Sequence, residues 1–138
     1  MPSGCYLTAI MNSIYNLVML RFGAYECVEW NRHKLSRLKN DCFIAVTYGD
    51  DNVWTVHPDF RNEINFNTMQ YELGRLGLEY TPADKVEGNV PDFKSIYDIS
   101  FLKRTFRFEP YLGRHVAPLN LDSALQICYH SKKGQLYH

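Results

Sequence analysis

The sequence lacks any recognisable pattern of cysteines. No C-x-x-C pair occurs, and the intervals between them are irregular. Small secreted domains that depend on disulfides place several cysteines at short intervals, so this pattern argues against a disulfide framework and favours the reduced, buried thiols of a cytosolic protein. A zinc site at Cys128 and His130 is not expected, because a second spaced pair of ligands is missing. The cysteines are Cys5, Cys27, Cys42 and Cys128.

Excess charge and long apolar runs are lacking as well. The 15 basic and 15 acidic residues balance, so no global field attracts nucleic acid, and such a partner would have to be held by a local patch. The most apolar stretch, Leu7 to Phe22, is interrupted by polar residues such as Thr8, Asn12 and Arg21. We therefore expect neither a membrane span nor a signal peptide.

Apolar residues are nevertheless numerous enough for one core. Of the 138 residues, 46% are hydrophobic and 14% aromatic, which predicts a single globular domain rather than a disordered chain. No internal repeat, low-complexity tract or linker divides the sequence. Periodic segments start and stop abruptly at both ends, so we expect the sequence to be a piece of a longer chain.

The stretch Tyr48-Gly49-Asp50-Asp51 lies between two β-prone runs, residues 42–47 and 52–56. A glycine between two such runs predicts a hairpin with the acids at its exposed tip. Adjacent carboxylates repel each other unless a cation lies between them, which suggests a divalent metal site. The alternative is a pair of solvated turn acids, since aspartate is common in turns.

The first periodic segment predicts an amphipathic helix. Leu7, Ile10, Met11, Ile14 and Val18 recur at helical spacing and are expected to form one buried stripe. Beside this stripe, Thr8 and Asn12 are four residues apart and therefore share a face. The alternative is a serine helix cap at Ser3 followed by incidental polar surface.

Between residues 22 and 41 the sequence is polar and basic, which predicts a connecting segment with a helical turn at Lys34 to Leu38. The usual role of such a polar segment is to form solvent-exposed surface. Contact with phosphates is the alternative, although no aromatic residues are interleaved at the spacing that base stacking needs.

The second half of the sequence predicts a further helix and several strands. The helix spans residues 66–76, with Asn65 as its cap and Gly77 as its stop. Short strands are predicted at 78–81 and 99–108, the second pairing with residues 111–119, and a last helix begins at Leu121. Helices and antiparallel strands together define the α+β class, with a small antiparallel sheet and helices packed on one face.

Four motifs in this order resemble the palm of RNA-dependent RNA polymerases from positive-strand picorna-like viruses, including dicistrovirus-like ones that infect insects. The resemblance covers nearly the whole chain. The motifs are Ser3-Gly4 with Thr8 and Asn12-Ser13, then Tyr48-Gly49-Asp50-Asp51, then Thr81-Pro82-Ala83-Asp84-Lys85, and finally Phe101-Leu102-Lys103-Arg104.

This resemblance implies the fold and domain organisation of a polymerase palm. Residues 1–119 would be a partial palm with an RRM-like core and the catalytic acids on a β-hairpin tip. The upstream metal-binding strand would be missing. Residues 120–138 would begin the thumb.

The resemblance also implies roles for the acids and the basic residues. Asp50 and Asp51 would hold two Mg²⁺ ions, or Mn²⁺, with Asp50 the direct ligand and a third aspartate supplied from before Met1. Lys85 would protonate the leaving pyrophosphate.

Nucleotide and RNA contacts are implied for the remaining motif residues. Asn12, as a buried amide, would recognise the ribose 2′-hydroxyl of the nucleotide with support from Thr8, and Ser3 and Gly4 would form the loop that touches the template. The primer and RNA would contact Tyr48 and Gly49 at the turn, together with Lys103 and Arg104. Because neighbours on a strand point to opposite faces, only one of these two cations is expected to reach phosphate.

The partners implied are an RNA template and primer, ribonucleoside triphosphates, and the fingers and thumb of the same polyprotein. The implied location is the host cytoplasm, at viral replication complexes, and the piece alone is expected to be inactive. Three alternatives remain at this point. A purely structural domain is one of them, but it would leave the ordered motifs unexplained. A reverse transcriptase-like palm would share the paired acids, although Asn12 favours ribonucleotides. A non-catalytic RNA-binding module would not need the paired acids, and the K/R-G-F/Y-G/A-F string that such modules usually contain is absent from this sequence.

Overall fold

The fold is taken from a computed structural model, which describes residues 6–39, 41–83 and 90–129. Within them the chain forms helices and short antiparallel strands, which confirms the α+β class. The helices are α1 (Tyr6–Glu29), α2 (Arg32–Leu35), α3 (Phe66–Arg75) and α4 (Leu121–Tyr129). The strands are β1 (Phe43–Tyr48), β2 (Asp51–Val56), β3 (Ser100–Phe101), β4 (Arg104–Thr105), β5 (Arg107–Glu109) and β6 (Arg114–Val116).

The predicted central hairpin is present. Strands β1 and β2 pair antiparallel from Phe43 opposite Val56 to Tyr48 opposite Asp51. Gly49 and Asp50 form the two-residue turn, and Gly49 has a φ of +62°. A glycine with positive φ at the first turn position is typical of a type II′ turn, whose twist matches that of the strands. The residue chemistry of this turn therefore accounts for the position of the hairpin.

Helix α1 is longer than predicted, and its buried surface lies elsewhere. It continues to Glu29, so the expectation of a connecting segment from residue 22 is wrong for its first part. The predicted buried stripe is also wrong, because Leu7, Ile14 and Val18 are 62%, 54% and 56% exposed. The second half of α1 packs instead, through residues such as Leu20 and Val28.

The core of the first part of the chain forms where α1, α3 and the hairpin meet. Gly23 allows close approach of the two helices, since a Cβ there would lie 3.1 Å from Cδ2 of Leu73. The buried residues of this core are Leu20, Ala24, Cys27, Val28, Phe43, Val56, Phe60, Ile64, Met69 and Leu73. Helix α1 packs through its second half because α3 lies against it there, with Gly23 facing Leu73 and Met69.

Helix α3 begins and ends as predicted. Asn65 accepts a hydrogen bond from the backbone of Thr68, whose hydroxyl in turn binds the Asn65 N–H, and this capping box satisfies two helix-end donors. Gly77, with a φ of +79°, follows the helix end. The predicted strand at residues 78–81 is wrong: this segment is irregular and is held by the side chain of Tyr80 instead.

Helix α2 is shifted from its predicted position. It spans Arg32–Leu35 rather than beginning at Lys34, because Asn31 caps it by accepting a hydrogen bond from the Lys34 N–H. The basic side chains of this segment are engaged with acids: Lys34 pairs with Glu63 and Arg37 with Asp59. Ion pairs with the protein's own carboxylates make phosphate contact by these two cations less favourable.

Beyond residue 93 the predicted long strand is interrupted. Leu102 and Lys103 both have positive φ values, 52° and 61°, and form a tight turn between β3 and β4. A continuous strand over residues 99–108 is therefore wrong. Strands β5 and β6 pair antiparallel as predicted, and α4 begins after Asn120, whose side chain accepts from the Asp122 N–H.

The described strands form three separate two-stranded sheets rather than one small sheet. The chain divides into two compact units, Met1–Phe93 and Lys94–His138. This division reflects packing, and the predicted end of the palm at residue 119 stays a prediction, as do the palm itself and its RRM-like core. None of the helices in the described ranges is long and apolar enough to span a membrane.

Candidate active site

The two turn acids are exposed and available to a ligand. Asp50 is the second residue of the turn, and Asp51 is the first residue of β2. Neither carboxylate forms an ion pair with a residue in the described part of the chain. Two unpaired carboxylates at the tip of the hairpin supply the hard oxygen donors that Mg²⁺ prefers.

The hairpin has an inner face toward α1 and an outer face on its other side. Thr47 belongs to the inner face, because its hydroxyl donates to the Ser13 carbonyl at 2.9 Å. Strand alternation therefore places Tyr48 and its partner Asp51 on the outer face. The Tyr48 side chain is exposed, as a contact with RNA would require.

Two polar side chains of α1 bind the backbone of the turn. The Ser13 hydroxyl accepts a hydrogen bond from the Gly49 N–H at 2.7 Å. The Asn16 amide donates to the carbonyls of Gly49 and Asp50, at 3.2 and 2.9 Å. Both backbone groups of Gly49 are thus engaged by α1, so RNA contact at the turn would fall to Tyr48.

A cavity of about 360 Å³ lies beside the turn, a volume in the range of small-ligand sites. Its lining surface is mostly apolar, and Asn12 and Asp50 are among its polar lining residues. The full lining is Asn12, Tyr15, Asn16, Met19, Leu20, Gly49, Asp50, Asn52, Leu73, Leu78, Glu79 and Tyr80.

Asn12 differs from the sequence-based expectation in its burial. The expected buried amide is wrong, because Asn12 is exposed, and it forms no hydrogen bond with another described residue. Its amide is free to meet a ligand. Thr8, one turn earlier, carries a buried hydroxyl oxygen with no hydrogen-bond partner in the described ranges.

Tyr80 connects the segment after α3 to the hairpin. Its hydroxyl accepts from the Trp54 indole N–H at 2.9 Å and donates to Oδ1 of Asn52 at 2.8 Å. Burial raises the pKa of the Tyr80 phenol, while the hydrogen bond from Trp54 lowers it less, so the phenol keeps its proton and remains a donor. Its ring also packs on Phe66.

Lys103 and Arg104 do not share one strand as predicted. Lys103 lies in the tight turn, where its carbonyl accepts from the Asn120 N–H at 2.8 Å, and its ammonium is exposed. Arg104 lies in β4, and its guanidinium donates to the Ala117 carbonyl at 2.8 Å. The Arg104 guanidinium thus links β4 to the segment after β6, whereas the Lys103 ammonium is available to a ligand.

The structure brings together Asn12, Asp50 and the turn, but it does not test every predicted site residue. Ser3, Gly4 and Lys85 lie outside the described residues, so their roles stay predictions. No group of three His, Cys, Asp or Glu side chains that could hold a metal occurs within the described ranges. Asp50 and Asp51 therefore fit a metal site only in part.

Sequence reasoning missed Ser13 and Asn16 as contacts of the turn. A signal existed for Asn16, because it lies four residues after Asn12 and therefore shares its helix face. Nothing local indicated that this face meets the hairpin, since the contact joins residues more than 30 positions apart.

Comparison with known proteins identifies the class to which this fold and acidic hairpin belong. A family model described as viral RNA-dependent RNA polymerase matches residues 1–138. The chain belongs to this family. The matching family is neither that of a reverse transcriptase nor that of an RNA-binding module, both of which were considered from the sequence.

Several viral polyproteins are similar to this chain. It is 34% identical over 138 residues to the replicase polyprotein of Drosophila C virus, 32% identical over 130 residues to the RNA1 polyprotein of Tomato ringspot virus, and 33% identical over 140 residues to that of Raspberry ringspot virus. These matches cover 96%, 94% and 99% of this chain. It spans only 8% of the first polyprotein and 6% of the other two.

Proposed function

We propose that this chain is part of the palm of a viral polymerase and takes part in RNA-templated addition of ribonucleotides during genome replication. The observation that carries the proposal is the position of Asp50 and Asp51. Both carboxylates are exposed and unpaired within the described residues, at the tip of a hairpin in a chain of the polymerase family. A pair of turn acids that served only solubility would not need the turn to be bound by a helix.

The proposed reaction is attack of a primer 3′-hydroxyl on the α-phosphate of a nucleotide, with pyrophosphate as the leaving group. Asp50 and Asp51 would hold Mg²⁺, or Mn²⁺, together with a carboxylate from another part of the polyprotein. When bound, the two ions stabilise charge on the attacking and leaving oxygens. Asp50 lines the cavity, which supports it as the acid that would face the nucleotide.

The polar residues around the turn would select and hold the nucleotide. The free amide of Asn12 would hydrogen-bond the ribose 2′-hydroxyl, and Thr8 would support it from one turn earlier. Ser3 and Gly4 would contact the template. Lys85 would donate a proton to the departing pyrophosphate, a type of step that contributes about 10²- to 10⁴-fold.

RNA would be held by a small number of cationic and aromatic contacts. Lys103, with its exposed ammonium, is the better candidate for the primer phosphates, because Arg104 is already bonded to a carbonyl. Tyr48 would contact RNA from the outer face of the hairpin. These residues are few, in agreement with the balanced charge of the chain.

Other parts of the polyprotein are proposed to complete the enzyme. The exposed apolar stripe on the first half of α1 supports this, since contiguous apolar surface is normally covered by a partner. The fingers and thumb of the same polyprotein would supply that cover, and the assembly would work at replication complexes in the host cytoplasm.

The test is Asp50→Asn in the parent polymerase. We expect loss of single-nucleotide incorporation with RNA binding retained, because the amide keeps the shape of the side chain and removes a charged metal ligand. Asp41→Asn, which changes an exposed acid at the other end of the hairpin, is the matched control and should retain activity. Near-normal incorporation by Asp50→Asn would contradict the proposal.

A further inference from the structure

The acidic turn is bound by α1 through a set of hydrogen bonds that leaves little freedom to its backbone. Ser13 Oγ accepts from the Gly49 N–H at 2.7 Å and donates its own proton to the Ala9 carbonyl at 2.7 Å. Asn16 Nδ2 donates to the carbonyls of Gly49 and Asp50 at 3.2 and 2.9 Å. Helix α1 therefore binds three backbone groups of the two-residue turn, namely the N–H and carbonyl of Gly49 and the carbonyl of Asp50.

The number of protons on each side chain makes these contacts specific to serine and asparagine. The serine hydroxyl has a single proton, which is used on Ala9, so it meets Gly49 as an acceptor. The asparagine amide nitrogen has two protons and meets two carbonyls. An aspartate at residue 16 would have the same shape but no proton to donate, and it would repel both carbonyls.

The contact between Asn16 and the turn affects the Asp50 carboxylate through the Asp50 backbone. Asn16 binds the Asp50 carbonyl rather than its side chain, so it leaves the carboxylate free for a ligand while restricting where that carboxylate can lie. Asn16 and Asp50 also line the same cavity. A metal ligand must be held close to its productive geometry, and groups that hydrogen-bond behind the ligand supply that restraint.

We propose that Asn16, assisted by Ser13, is a positioning residue for Asp50 in the polymerase reaction. Its amide nitrogen uses both protons on carbonyls of the turn, so it acts on the turn rather than as a donor to a substrate. This inference rests on the proposed function, because it requires Asp50 to be a metal ligand. It assigns to Asn16 a role different from that of Asn12, which lies one helical turn earlier with an amide free to meet the nucleotide.

The test compares Asn16→Ala, Asn16→Asp and Ser13→Ala in the parent polymerase. We expect Asn16→Ala to lower kcat for single-nucleotide incorporation by about 10- to 100-fold, the usual effect of removing a group that orients a metal ligand. The KM for the nucleotide should change little, since nucleotide contacts remain. Asn16→Asp should be at least as impaired, and Ser13→Ala should show the same kind of change.

Two further measurements do not depend on activity. Hydrogen exchange of the Gly49 amide, which donates to Ser13, should become faster in Asn16→Ala, because the turn loses its two carbonyl contacts to α1. The Mn²⁺ dissociation constant, measured by electron paramagnetic resonance, should rise by about 10-fold or more. Asn67→Ala is the matched control. Asn67 is an exposed residue of α3, away from the turn, and the substitution removes its hydrogen bond to Asp92. It should change neither quantity.

The outcomes separate this inference from the proposed function. If Asp50→Asn abolishes incorporation while Asn16→Ala stays within about twofold of the wild type with unchanged turn exchange, the positioning role is wrong and the proposed function stands. If Asn16→Ala raises the nucleotide KM and leaves kcat and Mn²⁺ affinity unchanged, Asn16 contacts the nucleotide instead, and the inference is overturned. If Asp50→Asn remains active, the proposed function itself is wrong.

Discussion

The ammonium of Lys34 lies 2.6 Å from Oε1 of Glu63, and this pair joins α2 to the segment before α3. The Glu63 side chain is only 8% exposed, and its other carboxylate oxygen is buried with no hydrogen-bond partner in the described ranges. Lys34 also donates to the Asp59 carbonyl at 3.1 Å. A buried carboxylate therefore depends on one lysine.

The first prediction concerns this pair. Lys34→Met should lower the free energy of unfolding by about 1–3 kcal/mol, because it leaves a buried charge without its partner. Lys39→Met, at an exposed neighbouring lysine, should change it by no more than about 0.5 kcal/mol. Urea denaturation of the parent polymerase provides the measurement. Adding Glu63→Leu to Lys34→Met should recover stability, and failure to do so would show that the pair is not the cause.

The second prediction concerns nucleotide selection. Asn12→Ala should reduce the preference for ribonucleotides over deoxyribonucleotides, because the amide proposed to bind the 2′-hydroxyl is gone. A reduction of about 10-fold or more is expected, since a site built for a hydroxyl discriminates strongly against its absence. The ratio of kcat/KM for the two nucleotide types measures it. Unchanged discrimination would remove Asn12 from the site.

The third prediction concerns the 138-residue chain by itself. We expect no primer extension on a homopolymer template, because Asp50 and Asp51 lack a third carboxylate in the described structure and Mg²⁺ is held weakly by so few ligands. Calorimetric titration should show no Mg²⁺ binding tighter than the millimolar range. Extension by this piece alone would disprove the expectation of an incomplete site.

The fourth prediction concerns pH and the buried thiol of Cys27. Burial raises the pKa of this thiol from 9.0 to about 11, and the hydrogen bond from Thr68 opposes that shift only in part. The unfolded chain loses the proton first as pH rises. The contribution of the protonated Cys27 thiol to the free energy of unfolding is therefore fully present below pH 9 and is lost as pH rises toward 11.

Comparison with Cys27→Ala isolates this effect from other groups that titrate in alkali. Between pH 8 and pH 10.5 the unfolding free energy of the wild type should fall relative to that of the variant, by at most about 1.4 kcal/mol per pH unit. Denaturant melts at several pH values measure it. A difference that is constant across this range would show that Cys27 does not titrate with a raised pKa.

Local features were predictable because their causes lie close together in the chain. The hairpin follows from a glycine between two β-prone runs, and the ends of α3 follow from Asn65 and Gly77. The same locality explains an error. Leu102 and Lys103 both adopt positive φ, although neither is a glycine or asparagine, the residues that usually indicate such a turn. Alternating apolar residues on either side suggested one strand where the chain forms two.

The candidate site was predictable in its residues and only partly in its arrangement. The acids at 50 and 51 could be found from their place in the sequence, and the family resemblance is confirmed by the match over the whole chain. The roles of individual residues stay predictions. Asn16 was not found, because a hydrogen bond across more than 30 residues leaves no local pattern.

By itself, the sequence determined the α+β class, the acidic hairpin and the polymerase family, since hydrophobic period, turn chemistry and motif order are all properties of neighbouring or ordered residues. Only the tertiary structure decided which half of α1 is buried, that Lys34 meets Glu63, and that Ser13 and Asn16 bind the turn. These depend on which surfaces pack together. The physical reason is that burial and long-range hydrogen bonds form between segments whose distance in the chain carries no information about their distance in space.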